Sequence, residues 1–188
     1  MYVRVVKRLV EAIRAEDGQR LIIADGLRWG TVPVAGLVEL GVAQSTRGYQ
    51  PMPLTHYGAR WIQGSERWSP PTWPLLQVHK KDDGTEQREV WDRERLRREN
   101  IEPWRRLQQK GVGVHVGEFG CSNGTPHTVA LAWMKDQLEL WREAGWGWAL
   151  WNLVGPFGVL DSGRGDVPYE NYQGHKLDRK LLEMLREA

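Results

Sequence analysis

Glu118 ends a short apolar run, Val112-Gly113-Val114-His115-Val116, and is set between Gly117 and Phe119-Gly120. Side chains alternate between the two faces of a strand, so Val114, Val116 and Glu118 share one face. A carboxylate that continues an apolar face costs free energy unless it is paired or used. The run Gly145-Trp146-Gly147-Trp148-Ala149-Leu150-Trp151-Asn152 has the same form, an apolar strand that closes on an aromatic and a polar group. A carboxylate beside tryptophans at successive strand ends points to chemistry on sugars, whose C–H faces stack on flat rings. Two other chemistries are weaker. Cys121 lies close to Glu118, but no Cys-His pattern of a thiol nucleophile surrounds it. The run Asp161-Ser162-Gly163-Arg164-Gly165-Asp166 resembles the start of a calcium loop, yet Tyr172 stands where the closing glutamate belongs. No metal and no cofactor is expected.

Bulk composition narrows the classes. A chain of 188 residues fits one domain with a sizeable core. A net charge of +2 with both signs interspersed is no nucleic-acid footprint. The basic run Arg93 to Arg106 carries Glu94, Glu99 and Glu102 within it and reads as a solvated helix face. No stretch approaches a membrane span, and Met1-Tyr2-Val3-Arg4-Val5-Val6-Lys7-Arg8 has charges inside its apolar run, unlike a signal peptide. The single cysteine excludes an internal disulfide. Tryptophan is the outlier: of eleven, Trp133 and Trp141 sit on a helical pattern, and others lie in Pro- and Gly-rich loops.

The elements that must position these groups alternate. Val6, Leu9, Val10 and Ile13 have helical spacing and predict a helix over 3–16. Leu21-Ile22-Ile23-Ala24 reads as a strand buried on both faces, ending in Asp25-Gly26. Residues 32–40 suggest a short helix or turn. Gly41 to Ser45 reads as a second strand, ending in Thr46-Arg47-Gly48-Tyr49. An inserted segment spans about 50–91: prolines break its first half, and Leu75 to Lys80 with Thr85 to Trp91 form a hairpin about Asp82-Asp83-Gly84. A helix over 92–110 is interrupted or restarted at Pro103. The Glu118 strand, a helix from about 126 to 144, the tryptophan strand, a loop over 153–173 and a last helix over 175–187 complete the chain. Alternating strands and helices imply a parallel sheet with helices outside. Asp25, Arg47, Tyr49, Glu118 and Asn152 all fall at C-terminal strand ends, where sites of such sheets lie.

With those motifs assembled, the chain resembles glycoside hydrolase family 5, the cellulase and mannanase group of (β/α)8 barrels. The resemblance rests on Asp25-Gly26 with Trp29-Gly30, Tyr49 with Pro51, Thr55, His56 and Tyr57, and Val116-Gly117-Glu118-Phe119-Gly120. It extends to Gly145 through Gly158-Val159-Leu160-Asp161-Ser162 and Gly174-His175-Lys176-Leu177-Asp178. It implies a retaining endo-β-1,4-glucanase with Glu118 as nucleophile, Tyr49 orienting it and Trp151 stacking under the sugar at the cleavage point. His56, Asn152 and Trp29 would contact substrate, and secretion is the family's habit. Arg47 departs from the pattern, because the family usually has a histidine there. Beside Glu118 it would hold the carboxylate ionised or lock it in a salt bridge.

The resemblance covers only strands five to eight of the barrel, so the fold expected is half a (β/α)8 barrel, α/β, with about four parallel strands in one truncated domain over 1–188. The family's acid/base glutamate, in Asn-Glu-Pro, has no counterpart; Asn100-Ile101-Glu102-Pro103 lies in a helical region. Asp25 is the alternative acid/base, although Asp-Gly is also a strong turn signal. Half a barrel leaves open sheet edges, and a homodimer completing the barrel is expected. The partner that the resemblance implies is a cellulose-like β-glucan. The competing reading is a non-catalytic, carbohydrate-binding remnant of a cellulase.

Overall fold

The computed structural model describes residues 1–80 and 83–188; Asp82 of the expected hairpin turn lies outside the described residues. Four strands form one parallel sheet in the order β1 (Ile23–Asp25), β2 (Ala43–Gly48), β5 (Val114–Phe119) and β6 (Gly147–Leu150). Each new strand adds on the same side of the last. A doubly wound sheet would reverse direction, so this succession with helices on one face is half of a (β/α)8 barrel. Helix α1 (Tyr2–Glu16) buries Val6 and Val10 against Ala24, Val34, Leu37 and Val42, while Val5, Leu9 and Ile13 stay exposed. A left-handed turn, α2 (Leu27–Gly30), follows β1, and a 3-10 turn (Ala35–Leu40) precedes β2. The Gln44 side chain ties this turn to the sheet, donating to Val34 O and accepting from Val34 N, each at 2.9 Å.

The insertion between β2 and β5 holds a short helix, α3 (Met52–Thr55), a 3-10 turn (Ser65–Arg67) and the antiparallel hairpin β3 (Leu75–Lys80) with β4 (Glu86–Trp91). The helix expected over 92–110 forms as α4 (Arg93–Leu96), a π-helical turn (Arg97–Ile101) and α5 (Glu102–Gln108). Pro103 sits in the first turn of α5, where its missing N–H leaves no helical bond unmade, and the widened turn before it absorbs the mismatch. Asp92 caps α4 by accepting from Arg95 N. Helix α6 (His127–Ala144) brings Trp133 and Trp141 fully into the core, beside Trp104 of α5.

Two expectations change. The apolar run at 21–24 is not buried on both faces: β1 is an edge strand, and Leu21 and Ile23 are exposed, since none of the described residues covers their side. The last helix, α7 (Arg179–Glu187), starts four residues later than expected because Asp178 caps it, accepting from Leu181 N at 3.0 Å. Residues before it form a small hairpin, β7 (Glu170–Tyr172) and β8 (His175–Leu177). Its two-residue turn is Gln173-Gly174, both at positive φ (53° and 87°), the geometry that matches the strands' twist.

Candidate active site

The site is built on the concave face at the C-terminal ends of β1, β2 and β5. Strand β2 presents Ser45, Arg47 and Tyr49 there by alternation. On β5 the alternation breaks: Thr46 pairs with Val116, but Arg47 pairs with Glu118. Gly117 is the extra residue of a β-bulge, which re-aims the side chains that follow it. Thus Val114, Val116 and Phe119 belong to the helix-side core, with Phe119 edge-on to Trp141, while Glu118 faces the cavity. The expectation that Glu118 shares the face of Val114 and Val116 is therefore corrected. The carboxylate does not interrupt an apolar face, because the bulge turns it to the other one.

Glu118 is held at both oxygens. Arg47 Nε lies 3.1 Å from Oε1, and the Tyr49 hydroxyl donates to Oε2 at 3.1 Å. Arg47 reaches Asp25 with both terminal nitrogens, Nη1 to Oδ1 at 2.9 Å and Nη2 to Oδ2 at 2.9 Å. Its Nη1 also donates to Ser45 Oγ at 2.8 Å. The tyrosine hydroxyl is raised well above its ordinary pKa, first by burial and then by the Glu118 charge, so it remains a donor.

Behind Tyr49 the chain is pinned. The Thr55 hydroxyl donates to Tyr49 O at 2.6 Å, and Trp133 Nε1 donates to Gln50 O at 3.0 Å. With the Thr55 proton used on Tyr49 O, His56 Nδ1 at 2.9 Å must donate to Thr55 Oγ1, which leaves Nε2 as an acceptor. Burial lowers the His56 pKa to about 4, so the ring is neutral at ordinary pH. Its ring packs edge-on against Tyr49, Phe157 and Trp61.

These groups line a cavity of about 720 Å³, together with Gly26, Trp29, Gly30, Thr31, Gln50, Met52 and Ile62. It collects Asp25, Trp29, Arg47, Tyr49, His56 and Glu118 of the candidates read from the sequence. Trp29 stands 92% exposed on the left-handed turn after β1. Trp151 lies beyond β6, half exposed, its main-chain N–H donating to Phe119 O at 2.7 Å, and does not line this cavity. Asn152 does not line it either: it adopts φ 59°, and its side chain packs against Gly155 and Gly158 of the following loop. Trp61, largely exposed and edge-on to His56, carries no sequence signal beyond being a tryptophan in a loop rich in glycine.

The other chemistries disperse. Cys121 is buried, and burial raises its thiol to about 11. Asp161 accepts from Lys176 N and lies 2.6 Å from His175 Nδ1, whereas Asp166 accepts from His127 N. Among the described residues, no three His, Cys, Asp or Glu side chains gather to hold a metal, and no helix is long and apolar enough to cross a membrane.

A cavity at the C-terminal ends of a parallel half barrel, with an oriented carboxylate and aromatic walls, is the architecture of a glycoside hydrolase. Residues 2–155 match the cellulase model of glycosyl hydrolase family 5, and the chain belongs to that family. It is similar to a crystal structure described as a glycoside hydrolase, with 45% identity and a TM-score of 0.86, over 99% of this chain and 54% of that one. Endoglucanase Cel5A of Thermotoga maritima aligns at 22% identity and a TM-score of 0.72, over 98% of this chain and 53% of its own. The cellulose synthase subunit Z of Clostridioides difficile aligns at 19% identity and a TM-score of 0.71, over 96% and 54%. Cel5A has also been solved with mannotriose and with cellobiose substrates. The chain spans about half the length of these structures. No curated protein matches it.

Proposed function

We propose that the chain carries the nucleophile half of a retaining endo-β-1,4-glucanase site. The observation that carries this reading is Glu118, aimed into the cavity and held at both oxygens by Arg47 and Tyr49. In the reaction Glu118 attacks the anomeric carbon as the glycosidic bond breaks, and the departing oxygen takes a proton from a general acid. Water then attacks the glycosyl ester, giving its proton back to that group and releasing Glu118. Trp29 and His56 line the cavity and are suited to hold a sugar face and a hydroxyl; Trp151, half exposed beyond β6, offers a further stacking face outside it, next to Asn152. A glucan is preferred to a mannan by the family's cellulase model. Replacing Glu118 by Gln should abolish hydrolysis of a β-1,4-glucan; unchanged hydrolysis sinks the assignment.

The general acid is the open position. Among the described residues lining the cavity the only carboxylates are Glu118 and Asp25, and both Asp25 oxygens are engaged by Arg47. Asp25 serves as acid only if Arg47 releases it. Otherwise the group comes from outside these residues, from a second copy or from a separate polypeptide that supplies the other half of the barrel; of these we propose the second copy. Strands β1 and β6 each keep an unpaired edge in the single chain, and Leu21, Ile23 and Leu27 near one edge, with Trp151, Leu153 and Val154 near the other, are exposed. Such edges favour closure by a twofold-related copy. Light scattering should give twice the chain mass, and a strictly monomeric profile refutes the dimer. The engagement of Asp25 also favours the second reading, a carbohydrate-binding remnant. An activated aryl cellobioside separates them: cleavage of it without cleavage of cellulose means a live nucleophile lacking its acid, and binding with neither means a remnant.

A further inference from the structure

We propose that Asp25 and Arg47 act together as a positioning clamp for Glu118, with Asp25 acting on the carboxylate only through Arg47. The inference rests on the reading of Glu118 as nucleophile and adds a role for Asp25 and Arg47 that requires no contact with the sugar. A guanidinium is a rigid planar fork, so a two-point grip on one edge fixes the direction of every other N–H. Asp25 takes that grip with both oxygens, at 2.9 Å each, and Arg47 Nε is thereby directed at Glu118 Oε1. Tyr49 fixes the other oxygen, so the plane of the Glu118 carboxylate is set from two sides.

The surroundings are shaped for this side chain. A Cβ on Gly30 would stand 2.7 Å from Arg47 Cγ, and one on Gly117 would stand 2.6 Å from Arg47 Nη1. Two glycines from separate segments thus leave the slot that Arg47 fills. The Asp25 main chain is anchored as well, since the Tyr2 hydroxyl donates to Asp25 O at 2.5 Å and Gly26 N donates to Ser45 O at 3.0 Å. The charges also balance usefully. An arginine paired with Glu118 alone would stabilise the resting carboxylate and blunt its attack. Shared between two carboxylates, the cation orients Glu118 while the group of three keeps a net negative charge.

The test is a cycle of Asp25→Asn, Arg47→His and the double variant in the full chain, with kcat and KM measured on an activated aryl cellobioside and on a poor leaving group. A clamp predicts that D25N lowers kcat about 10- to 100-fold with KM within about twofold, equally for both leaving groups, and that the double variant falls only to the level of R47H. If Asp25 is instead the general acid, D25N lowers kcat in both backgrounds and far more for the poor leaving group, which overturns the proposal. A second readout needs no turnover: hydrogen exchange of the Arg47 Nε–H by NMR. It should be slow in the native protein and fast in D25N; unchanged exchange overturns the clamp. E118Q with native turnover would sink the nucleophile reading alone, because the exchange measurement would still report on the clamp.

Discussion

Gly117 offers the sharpest test of how the site is built, because a single methyl group there meets the side chains of the candidate site without meeting the backbone. Gly117 does not occupy the left-handed region, so alanine adds no conformational strain. Its Cβ would contact Ser45 Oγ and lie 2.6 Å from Arg47 Nη1, both ends of side chains. Restoring ordinary contact moves Nη1 by about 0.8 Å. N–H···O bonds weaken quickly beyond about 3.2 Å. The 2.9 Å bond to Asp25 and the 2.8 Å bond to Ser45 cannot both survive such a shift. For buried groups, charge-assisted bonds are worth about 1.5–3 kcal/mol. The Asp25 side chain is 56% exposed, which discounts the loss toward the value of a surface pair, about 1 kcal/mol or less. For a chain of this length that lowers Tm by about 2–4 °C. Turnover is more sensitive, because a displacement on the order of 1 Å in a catalytic constellation costs up to about 100-fold. Gly117→Ala should therefore show a large fall in kcat on an aryl cellobioside and a small fall in Tm by calorimetry. Adding Ser45→Ala relieves one contact and should not restore turnover. Native kcat in G117A would refute the reasoning, as would a Tm loss above about 8 °C, which would mean that the methyl disturbs the sheet itself.

Three further outcomes follow from the site and its surroundings. Tyr49→Phe removes the donor to Glu118 Oε2 and should lower kcat about tenfold, equivalent to about 1.4 kcal/mol, with KM nearly unchanged; a fall confined to KM would reassign Tyr49 to substrate binding. His56 has its pKa depressed to about 4 by burial, so the unfolded chain binds a proton near pH 6.5 that the folded chain refuses until about pH 4. Its contribution is intact above pH 6.5 and is lost as pH falls toward 4; His56→Gln should flatten that part of the Tm–pH curve, and an unaltered slope would contradict the assignment. Cys121, buried and with its thiol raised to about 11, should resist Ellman's reagent at pH 8 until the protein is unfolded, and rapid labelling of the native chain would count against the packing described.

What the sequence disclosed and what it concealed divide along a physical line. Helix α1, helix α6 and the parallel order of the four strands were legible because periodicity and alternation are local, and Asp25, Arg47, Tyr49 and Glu118 fell at strand ends because topology put them there. The exposure of Leu21 and Ile23 was not legible, since an apolar run reads the same whether or not its second face is covered. The Asp25–Arg47 grip joins residues 22 apart through a side-chain geometry that no spacing encodes. The bulge is the most instructive loss. Alternation counted through Gly117 sends Glu118 into the helix layer beside Val116, and a one-residue slip sends it into the cavity. The residue inserted at the slip is a glycine, and its missing side chain leaves room for Arg47. A substitution that closed the bulge would therefore do two things at once, turning the carboxylate away from the cavity and filling the slot of the group that aims it. Glu118 is thus placed by its neighbour's missing side chain as much as by its own strand, and the tolerance of position 117 measures the site more directly than any position on the cavity wall.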